Sequence, residues 1–216
     1  MEYIRCTNVE GIHYKLLPGQ SRYAVGYTDH EDFYSIPDWL EKGGYQGSEI
    51  RFLDLEEDRV WIPFPKKRNV LYGNALTEEG RIWFLRGDFN TDTVTLMAYR
   101  PGEEPEEFHA LPMREVNLYN LQILPSPVHI VSQSDVLACY YPEPFRMPLE
   151  PNETAVIIDG DTVWCSAWME EGVSGGEITD HYRYYETTVR KDRSGKVLSR
   201  QTGDLNLFPD GIWRLS

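Results

Sequence analysis

Cysteine is scarce: Cys6, Cys139 and Cys165 are the only three in 216 residues. Their odd number and wide spacing argue against a disulfide framework. Each lies in an apolar, strand-like segment, so buried free thiols in a reducing compartment are expected. Long apolar runs are also missing. Nowhere do about eighteen apolar residues occur together, which excludes a membrane-spanning helix. The start, Met1–Cys6, has no basic stretch leading into an apolar one, so no signal peptide and a cytoplasmic location are expected. Basic residues are outnumbered, 21 against 35 acidic, for a formal charge of −14. Such a surface repels polyanions, so nucleic acid and anionic membranes are excluded as partners. Helical periodicity is nearly absent; the best stretch, Pro37–Lys42, meets Gly43-Gly44 and is expected to make one turn at most. There is no glycine-rich phosphate loop and no Gly-x-Ser-x-Gly elbow, so no cofactor is implied.

What is plentiful is aromatic, with 6 Trp and 14 Tyr, and that enrichment favours strands. Short alternating segments are separated by turn residues roughly every eight to twelve positions, the pattern of an all-β domain. An internal repeat sharpens this reading. One unit is a hairpin whose second strand opens on an aromatic residue. Ile82-Trp83-Phe84-Leu85 follows Glu79-Gly80, Val163-Trp164-Cys165 follows Asp159-Gly160, and Ile212-Trp213-Arg214-Leu215 follows Asp210-Gly211. Weaker copies are Ile123-Leu124 to Val128-His129-Ile130, and Tyr23-Ala24-Val25 to Phe33-Tyr34-Ser35. The Asp-Gly and Glu-Gly pairs supply the positive φ that tight hairpins need.

A second hairpin follows each first one, and in most copies it ends near proline. Glu49–Leu53 leads to Val60–Pro65, Val94–Met97 to Glu107–Pro112, and Val136–Cys139 to Phe145–Pro148; Tyr182–Tyr185 leads to Lys196–Ser199 without one. Proline removes a ladder donor, which suits an outer edge. At the start of the chain, Tyr3–Cys6 leads to Ile12–Pro18 in the same way. Two hairpins make a four-stranded blade, so the chain resembles a β-propeller over nearly its whole length. The expected fold is a single all-β domain spanning 1–216, a five-bladed β-propeller. Its last blade is closed by Ile212–Leu215 pairing with Tyr3–Cys6. The alternative is a β-sandwich.

In a propeller, function sits on the loops of one face. Two connections are long, Pro37–Gly47 with Trp39 and Tyr45, and Glu170–Glu177 just after Trp168. They suggest a groove with Trp39, Tyr45 and Trp168 as apolar platforms and Glu170 and Glu171 as polar contacts, suited to a peptide or a sugar. Glu115, Glu153 and Asp204 stand at the entry of three successive inner strands. Three acids so placed resemble the arrangement in five-bladed arabinanase- and invertase-type glycosidases. That resemblance implies a nucleophile or base, a general acid and a residue that tunes it. The motifs around each acid that mark those families are not present. Metal sites fare worse: Asp88, Asn90 and Asp92 lack the glycine and terminal glutamate of a calcium loop, and Asp29-His30-Glu31-Asp32 reads as a turn. His129 takes the place that Trp holds in other blades and is expected to pack. Lys66-Lys67-Arg68, the one basic run, is expected on a surface turn. The expectation is a non-catalytic binding or scaffold domain, without metal or cofactor, that presents one face to a protein, peptide or glycan. A glycoside-active enzyme is the alternative, and assembly with its own copies a third possibility.

Overall fold

The computed structural model describes residues 6, 7, 9–175 and 177–216. The chain is all-β, with a propeller-like set of four-stranded sheets, each an antiparallel meander in chain order. The number of blades is four, not five. The first holds β1 (Tyr14–Leu16), β2 (Tyr23–Tyr27), β3 (Ile50–Asp54) and β4 (Arg59–Trp61), with helix α1 (Ile36–Glu41) between β2 and β3. The second holds β5 (Val70–Glu78), β6 (Arg81–Asp88), β7 (Thr93–Tyr99) and β8 (Glu106–Pro112). The third holds β9 (Leu121–Leu124), β10 (His129–Gln133), β11 (Val136–Tyr141) and β12 (Phe145–Pro148). The fourth holds β13 (Glu153–Asp159), β14 (Thr162–Ser174), β15 (Glu177–Asp192) and β16 (Val197–Thr202). A separate two-stranded hairpin, β17 (Leu205–Leu207) and β18 (Trp213–Leu215), follows. None of the helices described is long and apolar enough to cross a membrane.

Contacts divide the chain into two compact units, residues 1–123 with 208–212, and residues 124–207 with 213–216; the boundary falls within β9. In the first unit the expected blade count fails at the first hairpin. Tyr14–Leu16 is not the outer strand of a closing blade. It pairs with Tyr23–Tyr27 and opens the first sheet, with Leu16 opposite Ala24. The cause is the intervening turn: Gly19 takes φ +77°, and the Gln20 side chain donates to the carbonyls of Leu17 (2.8 Å) and Tyr23 (2.7 Å). Its own oxygen accepts from the backbone N–H groups of Arg22 and Tyr23. Proline here starts the hairpin from β1 to β2 instead of closing the last strand of a sheet. Tyr3–Arg5 lie outside the described residues, and with them the expected pairing to Ile212–Leu215.

Phe33-Tyr34-Ser35 likewise is not a strand but a turn entering α1. That helix carries Pro37 in its first turn, where a missing N–H costs nothing. Gly43 and Gly44, both at φ above +100°, follow its end. At six residues it exceeds the single turn expected. Phe33 is buried against Gly73 and Gly87, where a Cβ would come within 2.9 and 2.6 Å of its ring. The core beneath is aromatic, with Phe52 5.7 Å from Phe84 and 5.5 Å from Tyr99. The basic run is partly tied down: Lys67 donates to Asp88 at 2.7 Å, and Arg68 donates to the Gly43 carbonyl.

In the second unit, Val131, Leu137, Met147, Ile158, Val163, Cys165 and Val189 close a core without solvent exposure. His129, at the start of β10 in the third sheet, is buried, its Nδ1 2.5 Å from the Pro127 carbonyl. Burial holds its pKa below the usual histidine value, against the pull of that carbonyl.

Candidate binding surface

The fourth sheet carries the unit's most exposed feature. β13 and β16 flank only the base of the β14–β15 hairpin. β13 reaches Ala167 opposite Glu153, and β16 covers β15 only from Thr188 to Lys191. Beyond that, residues 168–186 continue as a two-stranded arm. The segment expected as a loop, Glu170–Glu177, is therefore mostly strand. The strand it pairs with favours this, since Ile178, Tyr182, Tyr184, Tyr185, Thr187 and Thr188 of β15 are β-branched or aromatic.

Register decides which side chains share a face. Trp168 lies opposite Glu186, Glu170 opposite Tyr184, and Glu171 opposite Arg183. Opposed residues project to the same side and neighbours along a strand to opposite sides. One face thus gathers Ser166, Trp168, Glu170, Tyr182, Tyr184 and Glu186. Trp168, Tyr182 and Tyr184 are 45%, 37% and 55% exposed, although such large rings are ordinarily buried. Hydrogen bonds fix the face. The Tyr182 hydroxyl donates to Glu170 at 2.8 Å, the Tyr184 hydroxyl donates to Glu186, and Ser166 donates to Asp204 at 2.9 Å and to Glu186 at 3.1 Å. Each tyrosine hydroxyl titrates above its usual value because a carboxylate accepts a hydrogen bond from its protonated form.

The reverse face carries Met169, Glu171, Arg183 and Tyr185. Glu171 accepts from Arg183 at 2.7 Å and from Tyr185 at 2.8 Å, which lowers its pKa. Charge there is internally neutralised. On the first face the carboxylates of Glu170, Glu186 and Asp204 have no cation within salt-bridge distance among the described residues. Three of the residues expected from sequence, Trp168, Glu170 and Asp204, therefore come together. Tyr182, Tyr184 and Glu186 join them without having been singled out. Their alternation (Tyr-x-Tyr-x-Glu) was the available signal.

The other expected residues sit on other elements or on the other face. Glu171 is on the reverse face. Trp39 is exposed on α1 in the first unit. Tyr45, expected as an exposed platform, is 3% exposed; its hydroxyl donates to Asp29 at 3.1 Å and its N–H to Asn69. Burial raises its pKa. Glu115 sits in a short 3₁₀ turn, Met113–Glu115, of the first unit. Glu153 accepts from Lys191 on the core face of the fourth sheet, whereas Asp204 meets Ser166 on the opposite face. Paired-carboxylate chemistry needs both acids at one point, and the sheet itself separates these two.

The first unit also holds a cavity of about 570 Å³ lined by His13, Lys15, Tyr27, Asp29, Tyr72 and others. The acids of Asp29–Asp32 are held by local partners: Asp29 also accepts from the Glu31 N–H, Glu31 from the Ser35 hydroxyl, and Asp32 from the Ser35 N–H. Among the described residues, no group of three or more His, Cys, Asp or Glu is placed to hold a metal ion. No protein-family model, curated protein or solved structure matches the chain.

Proposed function

We propose that the protein is a non-catalytic binding domain whose recognition surface is the aromatic and acidic face of the β14–β15 arm. Its partner is a cationic protein or peptide segment. The observation that carries this reading is the co-location of exposed Trp168, Tyr182 and Tyr184 with Glu170, Glu186 and Asp204, while Arg183 is committed to the other side. Exposed aromatic faces attract ammonium and guanidinium groups by about 0.5–1 kcal/mol each. Neighbouring carboxylates add steering and specificity more than affinity. The formal charge of −14 favours the same class of partner.

Fluorescence anisotropy with a dye-labelled arginine-rich peptide tests this. Binding is expected to weaken at least tenfold in Trp168→Ala/Tyr184→Ala, and to weaken with added salt. Equal binding by the wild type and the double variant, or binding to neutral oligosaccharides and to no peptide, overturns it.

A further inference from the structure

The arm has open edges as well as an open face, and their geometry selects a mode of binding. At the base of β15, the Glu186 carbonyl accepts from the Gly203 N–H at 2.8 Å. The backbone of Glu186 therefore faces away from β14. In an antiparallel ladder alternate residues turn their N–H and C=O the same way, so Tyr184 faces outward too. No described residue pairs with it on that edge. The edge of β14 offers less. Trp168 is already bonded to Asn152, its N–H to the Asn152 carbonyl at 3.1 Å and its carbonyl to the Asn152 amide at 2.8 Å. Farther out the register breaks, with residues 179–182 of β15 against Gly172 alone, so the regular edge of β15 ends at Arg183.

Resting on the proposed recognition of a cationic segment, we infer that this segment binds as an added strand along the outer edge of β15, at Tyr184 and Glu186. Strand addition gains affinity from main-chain hydrogen bonds and specificity from alternate side chains. A residue opposite Tyr184 or Glu186 projects onto the face of Glu170 and Glu186, where arginine or lysine finds both a ring and a carboxylate. The residues between them project to the reverse face, where Glu171 and Arg183 already neutralise each other, and uncharged β-branched residues fit there. The preferred ligand is an extended segment alternating a cation with an uncharged residue. A second copy of this chain is disfavoured, because pairing two such edges would bring Glu186 and Glu170 of both copies onto one face.

The test uses the full chain and a capped peptide alternating arginine with threonine. Two derivatives carry backbone N-methyl groups, one on every arginine and the other on every threonine. In an added strand one of these sets of N–H groups points at β15 and the other points away. One derivative is therefore expected to lose at least tenfold in affinity and the other to stay near the parent peptide. Equal affinities for the two derivatives, with the parent still bound and Trp168→Ala/Tyr184→Ala still impaired, overturn strand addition and leave the recognition surface standing. Failure of the parent peptide to bind overturns both. Sedimentation that shows a dimer dispersed by Tyr184→Pro assigns the edge to a second copy and overturns the choice of partner.

Discussion

Lys191 and Glu153 form an ion pair on the core face of the fourth sheet, their side chains only 4% and 1% exposed. Both are fixed by strand geometry, since Lys191 lies opposite Val163 and Glu153 opposite Ala167 on one side of β14. The same Glu153 oxygen accepts the Glu150 N–H at 3.0 Å. Removing one member of a buried pair strands the other charge without water. Lys191→Met is therefore expected to cost about 3–5 kcal/mol of unfolding free energy. Glu153→Gln/Lys191→Met should recover part of that loss, because no charge remains to be solvated. Urea denaturation of the two single variants and the double variant checks it. A double variant that loses the full sum of the singles would show the two groups to be uncoupled.

Asp54 makes the first unit acid-sensitive. Burial alone would raise its pKa. The Arg22 guanidinium (2.6 Å), the N–H groups of Glu57 and Glu56, and the charge of Arg22 outweigh that and hold it below the usual carboxylate range. A depressed carboxyl contributes stability that is complete above its unfolded pKa, near about 4, and is lost as pH falls through the folded value. Asp54→Asn is thus expected to melt below the wild type at pH 7, with the gap closing as pH falls below about 4. Thermal melts across that range decide it, and a gap independent of pH would assign the loss to packing instead of charge.

Where turn chemistry is unambiguous the strands follow the sequence closely. Glu79 and Gly80 take φ +51° and +70°, and Gly160 takes +56°, so Asp-Gly and Glu-Gly marked the hairpins joining β5 to β6 and β13 to β14. Pro112 and Pro148 end the outer strands β8 and β12, as an edge reading requires. That reading misled at Pro18. A proline closing an outer strand and one opening a tight turn look alike until the strand's partner is known, and the partner of Tyr14–Leu16 is decided by Gln20 bridging the turn. The fifth blade was lost there.

The binding face was half legible for a related reason. Trp168 and Glu170 stood out, but Glu170–Glu177 read as loop because Gly172, Gly175 and Gly176 break its alternation. Without the pairing of Trp168 with Glu186, nothing tells whether Glu170 or Glu171 shares the tyrosine face. The meeting of Ser166 with Asp204 spans 38 residues, beyond the reach of any local pattern.

Thiol reactivity separates the three cysteines. Burial pushes Cys139 up to about 11 and Cys165 up to about 12, with Glu153 adding to the rise at Cys165. The thiolate is the reactive form, so neither should be alkylated in the folded protein at pH 8. Cys6 is partly exposed. Iodoacetamide treatment followed by intact mass measurement is expected to show one adduct under native conditions and three in denaturant. Three adducts at comparable rates without denaturant would contradict the buried placement.

Phe33 shows how a residue misread as strand earns its place. The loop after β2 turns it inward, where the backbones of β5 and β6 are bare at Gly73 and Gly87. Its ring fills the space their side chains would take, and it is 3% exposed. Two substitutions test this from opposite directions. Phe33→Ala leaves a cavity and is expected to cost about 3–5 kcal/mol. Gly87→Ala places a methyl 2.6 Å from the ring and is expected to cost about 1–3 kcal/mol by overpacking. Because a smaller residue at 33 makes room for that methyl, Phe33→Leu/Gly87→Ala should be more stable than the sum of its single changes implies. Strict additivity in denaturant titrations would mean that Phe33 and Gly87 do not share the space the structure gives them.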